Sequence, residues 1–146
     1  MRVSARAEYA CLAVLDLAFS YGSPEPVRLK RIVDAHGLPH GFLVQILQQL
    51  KAAGYVASTR GPAGGYQLTR PPQAISLADI LTAIEGGRRL DEAPDTSGMT
   101  LGLRALRSVW HEIRELAEGI LQRTTFADLV ERAREDAGMP VVGDWI

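Results

Sequence analysis

One glycine-rich loop carries the residue types that most directly suggest chemistry in this sequence. Residues 58–71 read STRGPAGGYQLTRP, with three glycines and two arginines. A loop that cradles nucleotide phosphates is followed by Lys-Ser or Lys-Thr and then a helix, and neither follows here. The flanking segments YVAST and GYQLT are β-branched and aromatic, so the stretch predicts a β-hairpin rather than a nucleotide-binding loop.

The residues that usually perform catalysis or bind metals are widely scattered. The single cysteine, Cys11, falls on the apolar stripe of the first predicted helix, where a buried small side chain is expected rather than a redox switch. The histidines, His36, His40 and His111, are too far apart to predict a metal site. No Ser-His-Asp or Cys-His arrangement is present. We therefore expect no enzyme activity, no metal site and no cofactor.

Length and composition indicate one compact domain with an appended element. The chain has 146 residues, of which 47% are apolar. Its apolar runs are too short to span a bilayer. The N-terminal apolar stretch is interrupted by Glu8 and Asp16 and lacks a clear cleavage site, so a secretion signal is not predicted. We expect a cytoplasmic protein.

Charge is distributed unevenly along the chain. Residues 1–72 contain eight Lys or Arg and four acidic residues, a sum of +4, while residues 73–146 contain eight Arg and thirteen acidic residues, a sum of −5. The total is −1, as the whole composition requires. A basic first half suggests that this part of the molecule faces a polyanion.

Hydrophobic periodicity predicts a mostly α-helical fold with a small β-hairpin. The predicted helices lie at 4–20, 27–37, 38–54, 76–87, about 100–122 and from Thr125 onward, and the predicted strands lie at 55–59 and 65–69. Pro39 suits the first turn of its helix, and Gly37 and Gly54 are expected helix stops. Ser76 with Asp79 predicts a capping box. Three helices followed by a hairpin predict a winged helix-turn-helix.

The helix at 39–53 would then enter the DNA major groove. At 100° per residue, Leu43, Ile46, Leu47 and Leu50 form the core face, and Gly41, Gln45, Gln48 and Ala52 lie opposite. Glutamine amides can pair bidentately with adenine, and His40 sits at the helix end that usually meets the bases. Solvated glutamines on a surface helix remain the alternative.

The loop of the predicted hairpin, residues 60–65, is the wing of the winged helix-turn-helix. This wing and the N-terminus carry further candidate DNA contacts. Arg60 at the root of the wing could enter a narrow minor groove. Gly61, Gly64 and Gly65 could let the backbone approach DNA, or serve only a turn that needs positive φ. Arg2, Ser4 and Arg6 could hold phosphates, or form a loose, solvated end.

The sequence resembles the Rrf2 family of bacterial winged-helix regulators to about Glu131. The segments that carry the resemblance are MRVSARAEYA, the stretch from GLPHGFLVQILQQLKAAGYVASTRGPAGGY to ISLADILTAIEG, and FADLV. The resemblance implies a homodimer that binds a palindromic operator, with DNA near residues at the chain start, the helix 39–53 and the wing. The candidate DNA-binding residues are Arg2, Ser4, Arg6, His40, Gly41, Phe42, Gln45, Gln48, Arg60, Gly61, Gly64, Gly65 and Tyr66.

The resemblance also divides the chain. It implies a DNA-binding domain at 1–85, an effector-loop equivalent at 86–99, a dimerisation helix with the following helix at 100–137, and a tail at 138–146. The apolar stripe expected to meet the partner copy consists of Leu103, Leu106, Trp110, Ile113, Ala117 and Ile120.

The chain departs from the family pattern at two places. Iron–sulfur members carry three cysteines before the long helix, whereas residues 86–104 contain none, and Arg107 occupies a ligand position. Glu8 stands where some members have a further ligand, but alone it predicts only a solvated side chain or an ion pair. We therefore expect no iron–sulfur cluster. Val44 replaces an acidic base-reading residue, so a different operator sequence is expected.

Taken together, these features predict a homodimeric transcriptional regulator, a repressor, that binds double-stranded DNA through helix 39–53 and the wing 60–65. The alternative is a regulator controlled by docking a metabolic enzyme or by a small-molecule effector near Trp110. A DNA-binding protein without any ligand also remains open.

Overall fold

The computed structural model describes residues 3–86 and 97–138. Its elements are α1 (Ala5–Phe19), α2 (Leu29–His36), α3 (His40–Ala52), β1 (Val56–Thr59), β2 (Gly65–Leu68), a short 3₁₀ helix (Pro72–Ala74), α4 (Leu77–Glu85), α5 (Leu101–Arg123) and α6 (Phe126–Gly138). The predicted helices and strands are confirmed, with bounds that differ by no more than about two residues. The 3₁₀ helix was not predicted.

The helix ends follow the capping chemistry expected from the sequence. Ser76 and Asp79 form the predicted capping box, each side chain bonding the other residue's backbone N–H. Gly37 ends α2 in the left-handed conformation, with φ of 63°. Ser4 is the N-cap of α1. Pro39 is the N-cap residue of α3, one position before the first turn in which it was expected.

The core lies between α1, α3, α4 and α6. Leu43, Ile46, Leu47 and Leu50 are each 0% exposed, which confirms the predicted inward face of α3. Phe126 is also fully buried, so α6 returns to this core after α5 and packs against α1. Backbone hydrogen bonds fix the start of α6 against the segment that leads into α4.

Two of these bonds join the start of α4 to the end of α5 and the start of α6. The N–H of Leu77 donates to the carbonyl of Thr124 at 2.9 Å, and the N–H of Phe126 donates to that of Ile75 at 2.9 Å. Thr125 and Asp128 cap the start of α6 reciprocally. The end of α5 is thereby anchored beside the first turn of α4.

The hairpin is antiparallel, with Val56 opposite Leu68 and Thr59 opposite Gly65. It is joined to the helices by Val27, which precedes α2. The Val27 N–H donates to the Tyr66 carbonyl at 2.9 Å, and the Tyr66 N–H donates to the Val27 carbonyl at 2.8 Å. The wing is therefore an extension of a small sheet that includes the entry to α2.

Helix α5 is unlike the others because none of its 23 residues is buried. Large apolar side chains face solvent along most of its length, and only α4 among the described helices makes extensive contact with it. In the described part of the chain, no helix combines the length and the apolar character needed to cross a membrane.

Candidate nucleic-acid interface

The outer face of α3 presents small and amide side chains to solvent. Gly41, Gln45, Gln48 and Ala52 are all exposed, and so is His40 in the first turn. The Gln45 and Gln48 side chains have no hydrogen-bond partner in the described part of the molecule. Their three-residue spacing places both amides on one side of the helix, where they are free to bind a ligand.

The three wing glycines serve two different purposes. Gly61 has φ of +106°, a conformation that favours glycine, and its carbonyl accepts from the Gly64 N–H at 2.9 Å. Gly64 and Gly65 do not have positive φ, so the turn explanation was wrong for them. A Cβ on Gly64 would lie 2.1 Å from the Thr59 carbonyl oxygen, and one on Gly65 would lie 2.3 Å from that of Val27. These two glycines allow close approach of backbone to backbone.

Arg60 is exposed at the start of the wing loop and has no partner among the described residues. Two other basic residues, which sequence reasoning did not select, hold the wing in place. The Arg28 guanidinium donates to the Pro62 carbonyl at 2.7 Å, and Lys51 Nζ donates to Ser58 Oγ at 2.7 Å. The wing is thus supported from α2 and α3, while Arg60 remains available.

Arg6 and Phe42, both predicted at the DNA, are engaged inside the protein. Arg6 is partly buried, donates to Gln49 Oε1, and lies with its guanidinium carbon 5.8 Å from the centre of the Phe42 ring. The Phe42 ring meets Tyr9 edge-on at 5.7 Å between centroids. Gln49 was not singled out in the sequence because it lies between the core face and the exposed face of α3.

The other residues predicted to contact DNA differ in how exposed they are and in what they bind. Arg2 lies outside the described residues. Ser4 is exposed, accepts from the Ala7 N–H at 3.1 Å and donates to Glu85 Oε1 at 3.1 Å. Tyr66 is partly buried and packs against the core, so its ring supports the wing.

The free thiol of Cys11 is partly buried on α1. Burial, together with the nearby negative charges of Glu8 and Glu85, raises the pKa of this thiol from 9.0 to about 11. The thiol is therefore protonated at neutral pH, which agrees with a packing role. Glu8 itself is exposed, as expected for a solvated glutamate.

The predicted apolar stripe of α5 is on the surface. Leu106, Trp110, Ile113 and Ile120 are 47–50% exposed and Leu103 is 38% exposed. Ala117 is partly buried. A continuous apolar face of this size on one helix is typical of a surface that is covered by another protein.

Comparison with known proteins agrees with this architecture. Residues 3–132 match the family model described as Rrf2, iron-dependent transcriptional regulator. A helix-turn-helix transcriptional regulator of Mycobacterium tuberculosis is 38% identical over 138 residues, covering 88% of this chain and 81% of the relative. The regulator IscR of Yersinia pseudotuberculosis is 32% identical over 131 residues, covering 89% and 79%.

Solved structures of two regulators superpose well on this fold. CymR, the global cysteine regulator of B. subtilis, matches with a TM-score of 0.76 and 30% identity, covering 90% of this chain and 98% of that one. IscR of T. potens matches with a TM-score of 0.76 and 34% identity, covering 96% and 93%. Both likenesses extend over the winged domain and the helices that follow it.

The iron that the family description implies does not fit the donor set of this chain. A thiolate-held iron–sulfur cluster takes about four cysteine ligands, sometimes with histidine in place of two. This chain has one cysteine, and its thiol is protonated within the packed face of α1. Among the described residues, no group of three or more His, Cys, Asp or Glu side chains could hold a metal ion.

The match spans nearly the whole chain, and the fold and the exposed helix face beside a supported wing agree with it. The cysteine ligands that a thiolate-held iron–sulfur cluster requires are missing from this chain. The chain belongs to the Rrf2 family of DNA-binding transcriptional regulators.

Proposed function

We propose that the protein is a homodimeric repressor that binds a palindromic operator through α3 and the wing, without an iron–sulfur cluster. The observation that carries this proposal is the position of Gln45 and Gln48 on the exposed face of α3, together with the exposed Arg60 of the wing. None of these three side chains has an intramolecular partner in the described part of the chain. Polar side chains held on rigid elements and left unpaired are suited to bind an external polar surface.

The outer face of α3 suits the major groove. Gly41 leaves space for close approach to the DNA, and His40 stands in the first turn, the part of a recognition helix that contacts base edges. An amide pairs bidentately with the N6 and N7 atoms of adenine. We therefore expect each half-site to contain adenines that Gln45 and Gln48 read, while Arg60 reaches the backbone or the adjacent minor groove.

Base reading can be tested with duplexes that the unaltered protein selects from a random-sequence library. Replacing Gln45 or Gln48 with Ala should weaken binding to the selected duplex by about 1–3 kcal/mol and relax the preference at one base pair per half-site. Gln73→Ala, at an exposed glutamine far from α3 in sequence, is the matched control. Unchanged preference in both variants, or no enriched sequence at all, would contradict the proposal.

The exposed apolar face of α5 supports the homodimer. The large residues of the stripe are Leu103, Leu106, Trp110, Ile113 and Ile120. Burying half of each side chain against a partner helix would contribute roughly 4–7 kcal/mol of association free energy per protomer, before the cost of association. Trp110 lies on this face and is 49% exposed, which favours a dimer contact over an effector site. Two-fold symmetry of the protein would match the two-fold symmetry of a palindromic operator.

The dimer can be tested by sedimentation equilibrium. Trp110→Glu should place a charge in the contact, shift the protein toward monomer and weaken operator binding. Gln122→Glu makes a comparable change on the polar side of the same helix and should leave the mass unchanged. A Trp110→Glu protein that remains dimeric would rule out this face as the interface.

Repression is tested separately in cells, with a reporter gene whose promoter contains the selected duplex. Expression of the unaltered protein should lower reporter output, and Gln45→Ala should restore it. Increased output would identify an activator instead.

A further inference from the structure

Arg6 and Gln49 form a polar connection between α1 and α3. Arg6 donates to Gln49 Oε1 and stacks over Phe42, so one guanidinium contacts α3 at two points. Both residues of the pair are partly buried. A guanidinium offers donors in a fixed planar fork, which restricts the relative orientation of the groups that it joins.

Gln49 extends this connection to α4. Its Nε2 donates to the carbonyl oxygens of Ala83 and Ile84, at 3.1 Å each. These carbonyls belong to the last turn of α4, whose C-terminal carbonyls have no partner within their own helix. Every hydrogen-bonding atom of the Gln49 amide is thereby occupied by α1 or α4, so this glutamine is not available to DNA.

Apolar packing alone would fix the orientation of α3 less specifically than the hydrogen bonds of Gln49 do. The core face of α3 consists of Leu43, Ile46, Leu47 and Leu50, which are aliphatic and make non-directional contacts. Hydrogen bonds weaken steeply when their angles change, so the Gln49 amide resists rotation of α3 about its own axis. Such a rotation would move Gln45 and Gln48 relative to the bases.

We propose that Arg6 and Gln49 are positioning residues that set the orientation of α3, and that Arg6 does not contact a DNA phosphate. The proposal rests on the DNA-binding function proposed above. It assigns to Arg6 a role different from the one expected from its place at the chain start. The effect on the operator is indirect and passes through the geometry of α3.

A double-mutant cycle on the full chain tests the pair. The measured quantity is the ratio of affinities for the library-selected duplex and for a scrambled duplex. Arg6→Met and Gln49→Leu should each lower this ratio several-fold, and the double variant should be no worse than the more affected single variant. Arg6→Lys should recover part of the ratio, since lysine can still donate to Gln49.

Salt dependence separates positioning from phosphate contact. Each phosphate contact adds about 0.9 to the slope of log affinity against log salt. Gln49→Leu should leave that slope unchanged, and Arg6→Met should change it by less than half of the change seen for Arg60→Ala. Gln73→Leu and Arg134→Met, at exposed positions of the 3₁₀ helix and α6, are the matched controls. Thermal unfolding of each variant confirms that it is folded.

Three results would overturn the inference. The first is a salt slope that falls in Arg6→Met by about 0.9, the value for one phosphate contact. The second is strictly additive effects of the two substitutions on the affinity ratio. The third is a loss of stability in the variants while the folded protein keeps the affinity ratio of the unaltered protein. The role of the pair would then be only structural. A failure of the DNA-binding proposal is distinguishable, because Gln45→Ala would then also leave the ratio unchanged.

Discussion

The guanidinium of Arg28, just before α2, donates to the carbonyl oxygen of Pro62 in the wing loop at 2.7 Å. This bond crosses from the helix-turn-helix to the loop that carries Arg60. Together with the Val27–Tyr66 backbone pair, it fixes the wing relative to α2. The wing is therefore a supported element before any DNA is bound.

Removing this support should loosen the wing. We expect Arg28→Ala to speed amide hydrogen exchange at Gly61 and at residues 63–65 in the free protein by about fivefold, since a hydrogen bond of this kind contributes roughly 1 kcal/mol. Arg31→Ala, at an exposed arginine of α2, is the control and should leave exchange in the wing unchanged. Equal exchange in the two variants would show that the Arg28 bond does not hold the loop.

Arg60 should contribute through charge. We expect Arg60→Ala to weaken binding to every duplex and to lower the salt slope by about 0.9, the value for one phosphate contact. The measurement is fluorescence anisotropy over a range of salt concentrations, with Arg134→Ala as the control. Unchanged affinity and slope would remove Arg60 from the interface.

The wing glycines should differ from a helix glycine in their tolerance of a methyl group. Gly64→Ala and Gly65→Ala place Cβ against backbone oxygens, so each should lower the free energy of unfolding by about 1–3 kcal/mol. Gly102→Ala, in α5, has nothing within 4 Å of its added Cβ and should leave stability unchanged or slightly raised. Urea denaturation measures all three. Equal stability of Gly64→Ala and the unaltered protein would refute the close-approach explanation.

Cys11 should make stability fall at alkaline pH. Its pKa rises from 9.0 to about 11 on folding, so between these values the unfolded chain loses a proton that the folded protein keeps. This contribution to stability is complete below pH 9 and is lost as the pH rises from 9 toward 11. Comparing the pH dependence of urea denaturation for the unaltered protein and for Cys11→Ala checks this. Parallel curves for the two proteins would contradict it.

Iron should not be a constituent of the functional protein. We expect anaerobically purified protein to contain no stoichiometric iron and to show no thiolate-to-iron band in its visible spectrum, because only one thiol is present. Prolonged treatment with an iron chelator should leave operator binding unchanged. Stoichiometric iron with sulfide, or loss of binding after chelation, would reverse this conclusion.

Local sequence determined the helices, the hairpin and the exposed face of α3. The residues that decide these features are close neighbours: apolar side chains repeat every three or four positions, and caps such as Ser76 with Asp79 act within one turn. The same local patterns predicted that Gln45 and Gln48 face outward, and the cysteine content alone showed that a thiolate-held cluster lacks its ligands.

Tertiary structure alone decided which polar side chains are already occupied. Arg6 meets Gln49 across 43 positions and Arg28 meets Pro62 across 34, and no periodicity relates such distant residues. The return of α6 to the core through Phe126 is likewise set by packing. Helix spacing in the sequence specifies which side of each helix is apolar, but the angles at which the helices cross decide which polar groups come within hydrogen-bonding distance.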